Sequence, residues 1–223
     1  MGTNNEIFKL HTSAIRRLLG PEHTYDFVEG TVNCRPAPGV ERLQSIPLQS
    51  TDSDDTGFYM YLDVRSIDSV KSVLEDLANY VETAGPFDGV MAFSQGAGLA
   101  AGLMVQQAQK NPTTYLFQPI FKCAIFFSGG IPGDPASLER GTLRLMSGEQ
   151  DGEVIQVPTA HIWGNKDTQY PEFGPVLAGL SSEANREIVI WDGGHEVPGI
   201  SGKGITEAVA AIKKTLLRVT ENQ

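Results

Sequence analysis

Apolar positions along the chain alternate between helical and strand-like spacing. Ile7, Phe8, Ile15, Leu18 and Leu19, with Asn5 as a cap, predict a helix ending at Gly20-Pro21. Tyr25 to Val32 reads as a short strand, and a loop rich in Pro, Gly, Ser and Asp then runs to about Tyr59. Val70, Leu74, Leu77 and Val81 share one helical face behind Ser66 as cap, until Gly85-Pro86 stops the pattern. Phe87 to Phe93 is an apolar strand that passes directly through Ser94-Gln95-Gly96-Ala97-Gly98 into a helix reaching Gln109. Cys123 to Phe127, Thr159 to Trp163 and Glu187 to Trp191 predict further strands. Ile205, Val209, Ile212 and Leu216 predict a closing helix, and Pro132 to Val157 reads as irregular and polar, lying across the top of a sheet.

Strands that alternate with helices imply an α/β fold: a mostly parallel sheet with helices on both faces. No boundary in pattern or composition divides the chain, so residues 1–223 are expected to form a single domain. At this length folding buries about 70% of the unfolded surface, so neither disulfides nor a structural metal are needed. Cys34 and Cys123, the only cysteines, are expected to be small core residues.

The net charge of −10 changes the picture of partners. An acidic chain with no long Lys/Arg cluster is repelled by phosphate backbones and anionic bilayers, which argues against nucleic acid or membrane partners. No run of about 18 apolar residues and no signal-peptide pattern is present, which predicts a cytoplasmic chain. The carboxylates Asp52, Asp54 and Asp55 read as solvated charge rather than a cation site.

In an open parallel sheet the ligand crevice lies beyond the carboxyl ends of the strands. Ser94, Asp167 and His195 each follow a predicted strand, in an order shared with α/β hydrolases. A serine hydroxyl becomes nucleophilic when an imidazole takes its proton, and the imidazole does so well when a carboxylate fixes its tautomer. Ala92-Phe93-Ser94-Gln95-Gly96 places Ser94 at a strand-to-helix turn where small flanking residues let the two backbones approach, with Ala92 where the pattern has Gly. Gln95 then supplies a backbone amide to the oxyanion hole. His161, inside an apolar strand, reads as a core residue, and His11 and His23 have no partner pattern.

These blocks, with Asn5-Glu6-Ile7-Phe8, Gly85-Pro86-Phe87-Asp88-Gly89-Val90, Phe127-Ser128-Gly129 and Gly193-Gly194-His195-Glu196-Val197-Pro198, resemble the fungal FSH-type serine hydrolases over nearly the whole chain. The resemblance implies an α/β-hydrolase fold, Ser94 as nucleophile, Asp167 as acid and His195 as base. It also implies esterase or thioesterase chemistry of the kind that releases or trims polyketides, with no cofactor or metal. The substrate would be a small-molecule ester or thioester, or an acyl group on an acyl carrier protein, for which Arg16 with Arg17 and Arg140 with Arg144 are the candidate docks.

One departure stands out. Members of that family usually begin with an apolar strand ending in His-Gly-x-Gly, whereas this sequence enters the segment at Gly2, so the N-terminal strand is apparently missing. That strand would lie beside the nucleophile strand, and its loop would supply the second oxyanion amide. Three readings stay open on the sequence: an ester- or thioester-cleaving enzyme, a non-catalytic or repurposed binding protein, and a truncated gene model of such a hydrolase.

Overall fold

A computed structural model describes residues 1–38, 40, 56–199 and 204–221. The acidic positions Asp52, Asp54 and Asp55 lie outside the described residues.

The first element is helix α1, Asn5–Leu19. Its cap is Asn4 rather than Asn5: the Asn4 side chain accepts from the Ile7 N–H at 3.0 Å, while Asn5 donates through its side chain to the Phe27 carbonyl. The stretch expected as a strand from Tyr25 instead forms no ladder until β1, Val32–Asn33, which pairs antiparallel with β2, Tyr59–Met60. Side chains take the place of a neighbouring strand there, since the Phe27 and Val28 carbonyls are bonded by Asn5 and by the Tyr61 hydroxyl.

Helix α2, Ile67–Ala84, is capped by Ser66 and buries Val70 and Leu74 as its spacing requires. Strand β3, Gly89–Phe93, then leads through Ser94 into helix α3, Gln95–Lys110. Pro112 opens a short helix, α4, Pro112–Phe117, where the sequence pattern predicts only a break. Proline suits a first helical position because its missing N–H has no partner there in any helix.

Strand β4, Cys123–Phe127, is buried throughout, and β5 is Thr159–Gly164. The intervening stretch is less irregular than expected. It holds α5, Pro135–Glu139, and α6, Gly148–Asp151, and it buries Leu138, Met146 and Ile155. Arg144 ties it together, with one guanidinium nitrogen 3.0 Å from Asp134 and 2.7 Å from Asp151. Helix α7, Phe173–Gly179, strand β6, Arg186–Trp191, and helix α8, Ile205–Glu221, complete the order.

The main sheet runs β3-β4-β5-β6 with every pair parallel. Alternation along β4 sorts its side chains: Ala124 and Phe126 pack with α2, α3 and α7, while Ile125 and Phe127 pack with α1 and α8. Helices therefore cover both faces, as the alternating pattern predicts. Cys123 is buried with that core, but Cys34 is only half-buried in the loop after β1, so the core assignment fails for it.

Among the described residues, β3 forms one edge of this sheet. A cavity of about 400 Å³ runs along its unpaired side, walled by Phe8 and Ile212 on one face, Val81 and Leu99 on the other, and Phe27 opposite.

His161 lies at the centre of β5, wholly buried, with Nε2 3.1 Å from the Thr159 hydroxyl and 3.0 Å from that of Ser181. Burial first, and the Arg186 charge second, push its pKa down from 6.5 to about 3. The folded chain thus keeps this ring neutral where the unfolded chain protonates it. Its stabilising contribution is complete above pH 6.5 and is lost as pH falls toward about 3. Each proton so linked costs about 1.4 kcal/mol of stability per pH unit. His11 is depressed in the same direction by burial and adds to this window. Denaturant midpoints should therefore fall between pH 6.5 and about pH 4, and more gently in His161→Gln; parallel slopes for the two proteins would refute the assignment to this ring.

Candidate active site

The strand-to-helix turn after β3 holds Ser94 at φ 51° and ψ −120°, a conformation L-residues rarely adopt. Such strain persists when neighbours over-determine it. Here the Ser94 N–H donates to the Phe127 carbonyl at 3.0 Å, and the Ser94 carbonyl accepts from the N–H groups of Ala97 and Gly130. Glycine is required at 130, since a Cβ there would sit 2.9 Å from the Ser94 carbonyl oxygen. The turn thus directs Oγ away from the sheet and leaves Gln95 as the first residue of α3.

The loops after β5 and β6 bring the other two residues to it. His195 Nε2 lies 2.8 Å from Ser94 Oγ, and His195 Nδ1 lies 2.6 Å from Asp167 Oδ2. A carboxylate oxygen only accepts, so Nδ1 carries the proton and the Nε2 lone pair faces the serine hydroxyl. The second Asp167 oxygen accepts from the backbone N–H groups of Gln169 at 3.1 Å and Tyr170 at 3.0 Å. Both Ser94 and Asp167 are buried, and His195 is half-buried.

Three rings enclose the imidazole. Phe93 and Tyr170 approach it at centroid distances of 5.0 and 4.9 Å, and Phe173 at 6.4 Å. An imidazole flanked in this way has few alternative rotamers, which preserves its alignment between the two partners. Sequence reasoning found the three polar residues but not this enclosure. The two amides on Asp167 did carry a signal, because an Asp at the head of a turn commonly accepts from the N–H groups two and three residues on.

The two loops are also joined through their backbones. The Asn165 N–H donates to the Trp191 carbonyl at 2.9 Å and the Lys166 N–H to that of Gly193 at 2.8 Å, which sets Asp167 in register with His195. The close approach depends on Gly164, where a Cβ would fall 2.0 Å from the Gly193 oxygen. Gly164→Ala should force the loops apart and lower turnover by about a hundredfold, the scale of loss that a misplacement of about 1 Å produces. Steady-state kinetics on a variant shown to be folded by circular dichroism would check this; near-normal turnover would mean the loops adjust freely.

The fold and this arrangement define the class: an α/β-hydrolase built as a serine hydrolase. A family profile described as "Serine hydrolase (FSH1)" matches residues 1–206, and the chain belongs to that family. It is 32% identical to esterase FPY3 of Fusarium mangiferae over 226 aligned residues, covering 100% of this chain and 96% of that one. It is 29% identical to thioesterase FSL2 of Gibberella zeae, covering 94% and 86% of the two chains. Among solved structures, a carboxylesterase from Mesorhizobium loti superposes with a TM-score of 0.55 at 16% identity, covering 97% and 84%, which speaks for the fold alone. Among the described residues, no helix is long and apolar enough to cross a membrane.

Proposed function

We propose that the chain is a one-domain esterase or thioesterase in which Ser94 is the nucleophile, His195 the general base and Asp167 the carboxylate that orients the imidazole. The observation that carries this reading is the relay through one ring, 2.8 Å from Nε2 to Ser94 Oγ and 2.6 Å from Nδ1 to Asp167. Ser94 Oγ attacks the substrate carbonyl carbon as His195 Nε2 takes its proton. The carbonyl oxygen becomes an oxyanion that accepts from the Gln95 backbone N–H, which opens α3. Collapse expels an alcohol or thiol, protonated by His195, and leaves an acyl-serine. Water, deprotonated by the same imidazole, then releases the acid and restores Ser94.

The named relatives include both an esterase and a thioesterase, which supports small esters and thioesters as the substrate class. An acyl group carried by an acidic carrier protein, as in polyketide release, is the finer reading. It would need a basic dock on a chain of net charge −10. Arg144 does not serve as a free dock because Asp134 and Asp151 already engage it. Arg16 is likewise occupied, bonding the Lys9 carbonyl and the Thr12 hydroxyl. With one arginine of each pair already engaged, a free small-molecule substrate is favoured.

The test is covalent. A fluorophosphonate should phosphonylate the protein, with the adduct mapped by mass spectrometry to the peptide containing Ser94. An adduct on another serine, or none with a chain that melts cooperatively, would overturn the assignment.

A further inference from the structure

Beyond the backbone amide assigned to the oxyanion, Gln95 has a side chain that turns away from the reaction and crosses to the segment after β2. Its Oε1 accepts from the Tyr61 N–H at 2.8 Å, and its Nε2 donates to the Leu62 carbonyl at 2.9 Å. One carboxamide thereby binds the donor of one residue and the acceptor of the next, as a neighbouring strand would.

The segment it grips is itself anchored. The Tyr61 hydroxyl donates to the Val28 carbonyl at 2.9 Å, and the Tyr61 ring lies so close to the turn that a Cβ at Gly96 would meet its edge at 3.1 Å. One residue back from Met60, the Tyr59 N–H donates to Thr3 at 2.8 Å and its carbonyl accepts from Gly2 at 2.9 Å. Gln95 is thus the bolt between this anchored wall and the strained turn that carries Ser94.

We propose that the Gln95 side chain is a positioning device. By fixing the first residue of α3 against the Tyr61–Leu62 wall, it keeps the Gln95 backbone N–H aimed at the developing oxyanion. This rests on the function proposed above. A donor that drifts from its aim stabilises the transition state less while leaving ground-state binding nearly unchanged, so the effect belongs in kcat rather than KM.

Two variants test it, each retaining the backbone amide. Gln95→Leu removes both side-chain bonds and should lower kcat about tenfold at every pH, with KM for a short ester within about twofold. Gln95→Glu is the sharper probe. A protonated carboxyl has the carboxamide's shape, with one acceptor and one O–H donor, so it can hold both Tyr61 and Leu62. A carboxylate cannot donate, and it places negative charge against the Leu62 carbonyl, which raises its own pKa. The ratio of variant to wild-type kcat should therefore climb as pH is lowered from about 8 to about 5, from about one-tenth toward unity.

Other titratable or charged groups face this region: His195 and Asp167 behind Ser94, Asp63 and Arg65 beyond Leu62, Glu29 beside Tyr61, and the Tyr61 phenol, pushed up to about 12 by burial. Both proteins share them, and the Gln95→Leu ratio, expected to stay flat with pH, is the control for their titration.

Melting curves at each pH would confine the comparison to folded protein. Gln95→Glu, measured at low pH, keeps the test open should Gln95→Leu fail to fold. A flat ratio, or a Gln95→Leu kcat within twofold of wild type, would overturn the proposal. Phosphonate mapping separates the two levels: an adduct on Ser94 with normal Gln95 variants sinks only the positioning role, whereas an adduct elsewhere sinks the reading beneath it.

Discussion

Ser94→Ala should abolish ester turnover and phosphonate labelling together, while leaving the melting temperature close to that of wild type. The hydroxyl at the strained turn is the one 2.8 Å from an imidazole nitrogen, and no other side chain of that loop can form the acyl intermediate in its place. In a triad that acts as a unit, loss of the nucleophile costs about 10⁴- to 10⁶-fold in kcat, because the base and its carboxylate have nothing left to activate. Alanine tolerates the turn no worse than serine does, as Ser94 already sits at φ 51° with a Cβ and without a glycine's freedom. The variant should therefore fold, and a loss of activity cannot be put down to collapse if its melting curve matches. Turnover within tenfold of wild type would place the nucleophile elsewhere.

The second large effect is expected at Asp167. Asp167→Asn keeps nearly the same volume and the turn that accepts from Gln169 and Tyr170, so geometry is preserved. What changes is the proton. An amide nitrogen facing His195 Nδ1 donates rather than accepts, which moves the ring proton to Nε2 and turns a donor toward the Ser94 hydroxyl. The base is then in the wrong tautomer, and the imidazolium that forms during attack has lost the charge beside it. A loss of about 10⁴-fold in kcat is expected with little change in KM. The result should be read with Asp167→Glu, which retains the charge: partial activity there and none in the amide would tie the effect to the proton. Near-normal activity in Asp167→Asn would transfer the acid role to another carboxylate.

Turns around the site explain why some of this was readable from sequence. The Ser94 turn depends on residues adjacent in the chain, an apolar strand followed directly by the small residues Gly96, Ala97 and Gly98, which let strand and helix backbones approach. Asp167 and His195 follow β5 and β6, and the strand pattern alone predicts that such loops share one edge of a parallel sheet. The helical faces of α2 and α8 were legible for the same local reason, their apolar residues recurring at helical spacing. Where the prediction failed, distant partners decided. Tyr25 to Val32 has strand-like residues, yet its carbonyls are taken by side chains of Asn5 and Tyr61, and only Val32 joins a ladder. Pro132 to Val157 reads as polar, but Arg144, by gathering Asp134 and Asp151, lets short helices fold over buried Leu138 and Met146.

The sequence by itself determined the alternation of strand and helix and the sheet covered on both faces, and it marked Ser94, Asp167 and His195 as candidates, because each follows from periodicity or from a place at the end of a strand. Only the tertiary structure decided that one imidazole lies within hydrogen-bonding distance of both Ser94 and Asp167, that three aromatic rings enclose it, and that the Gln95 side chain grips Tyr61 and Leu62. Those distances join residues separated by about twenty to a hundred positions, and they are set by sheet register and loop-to-loop backbone bonds, which no local spacing encodes.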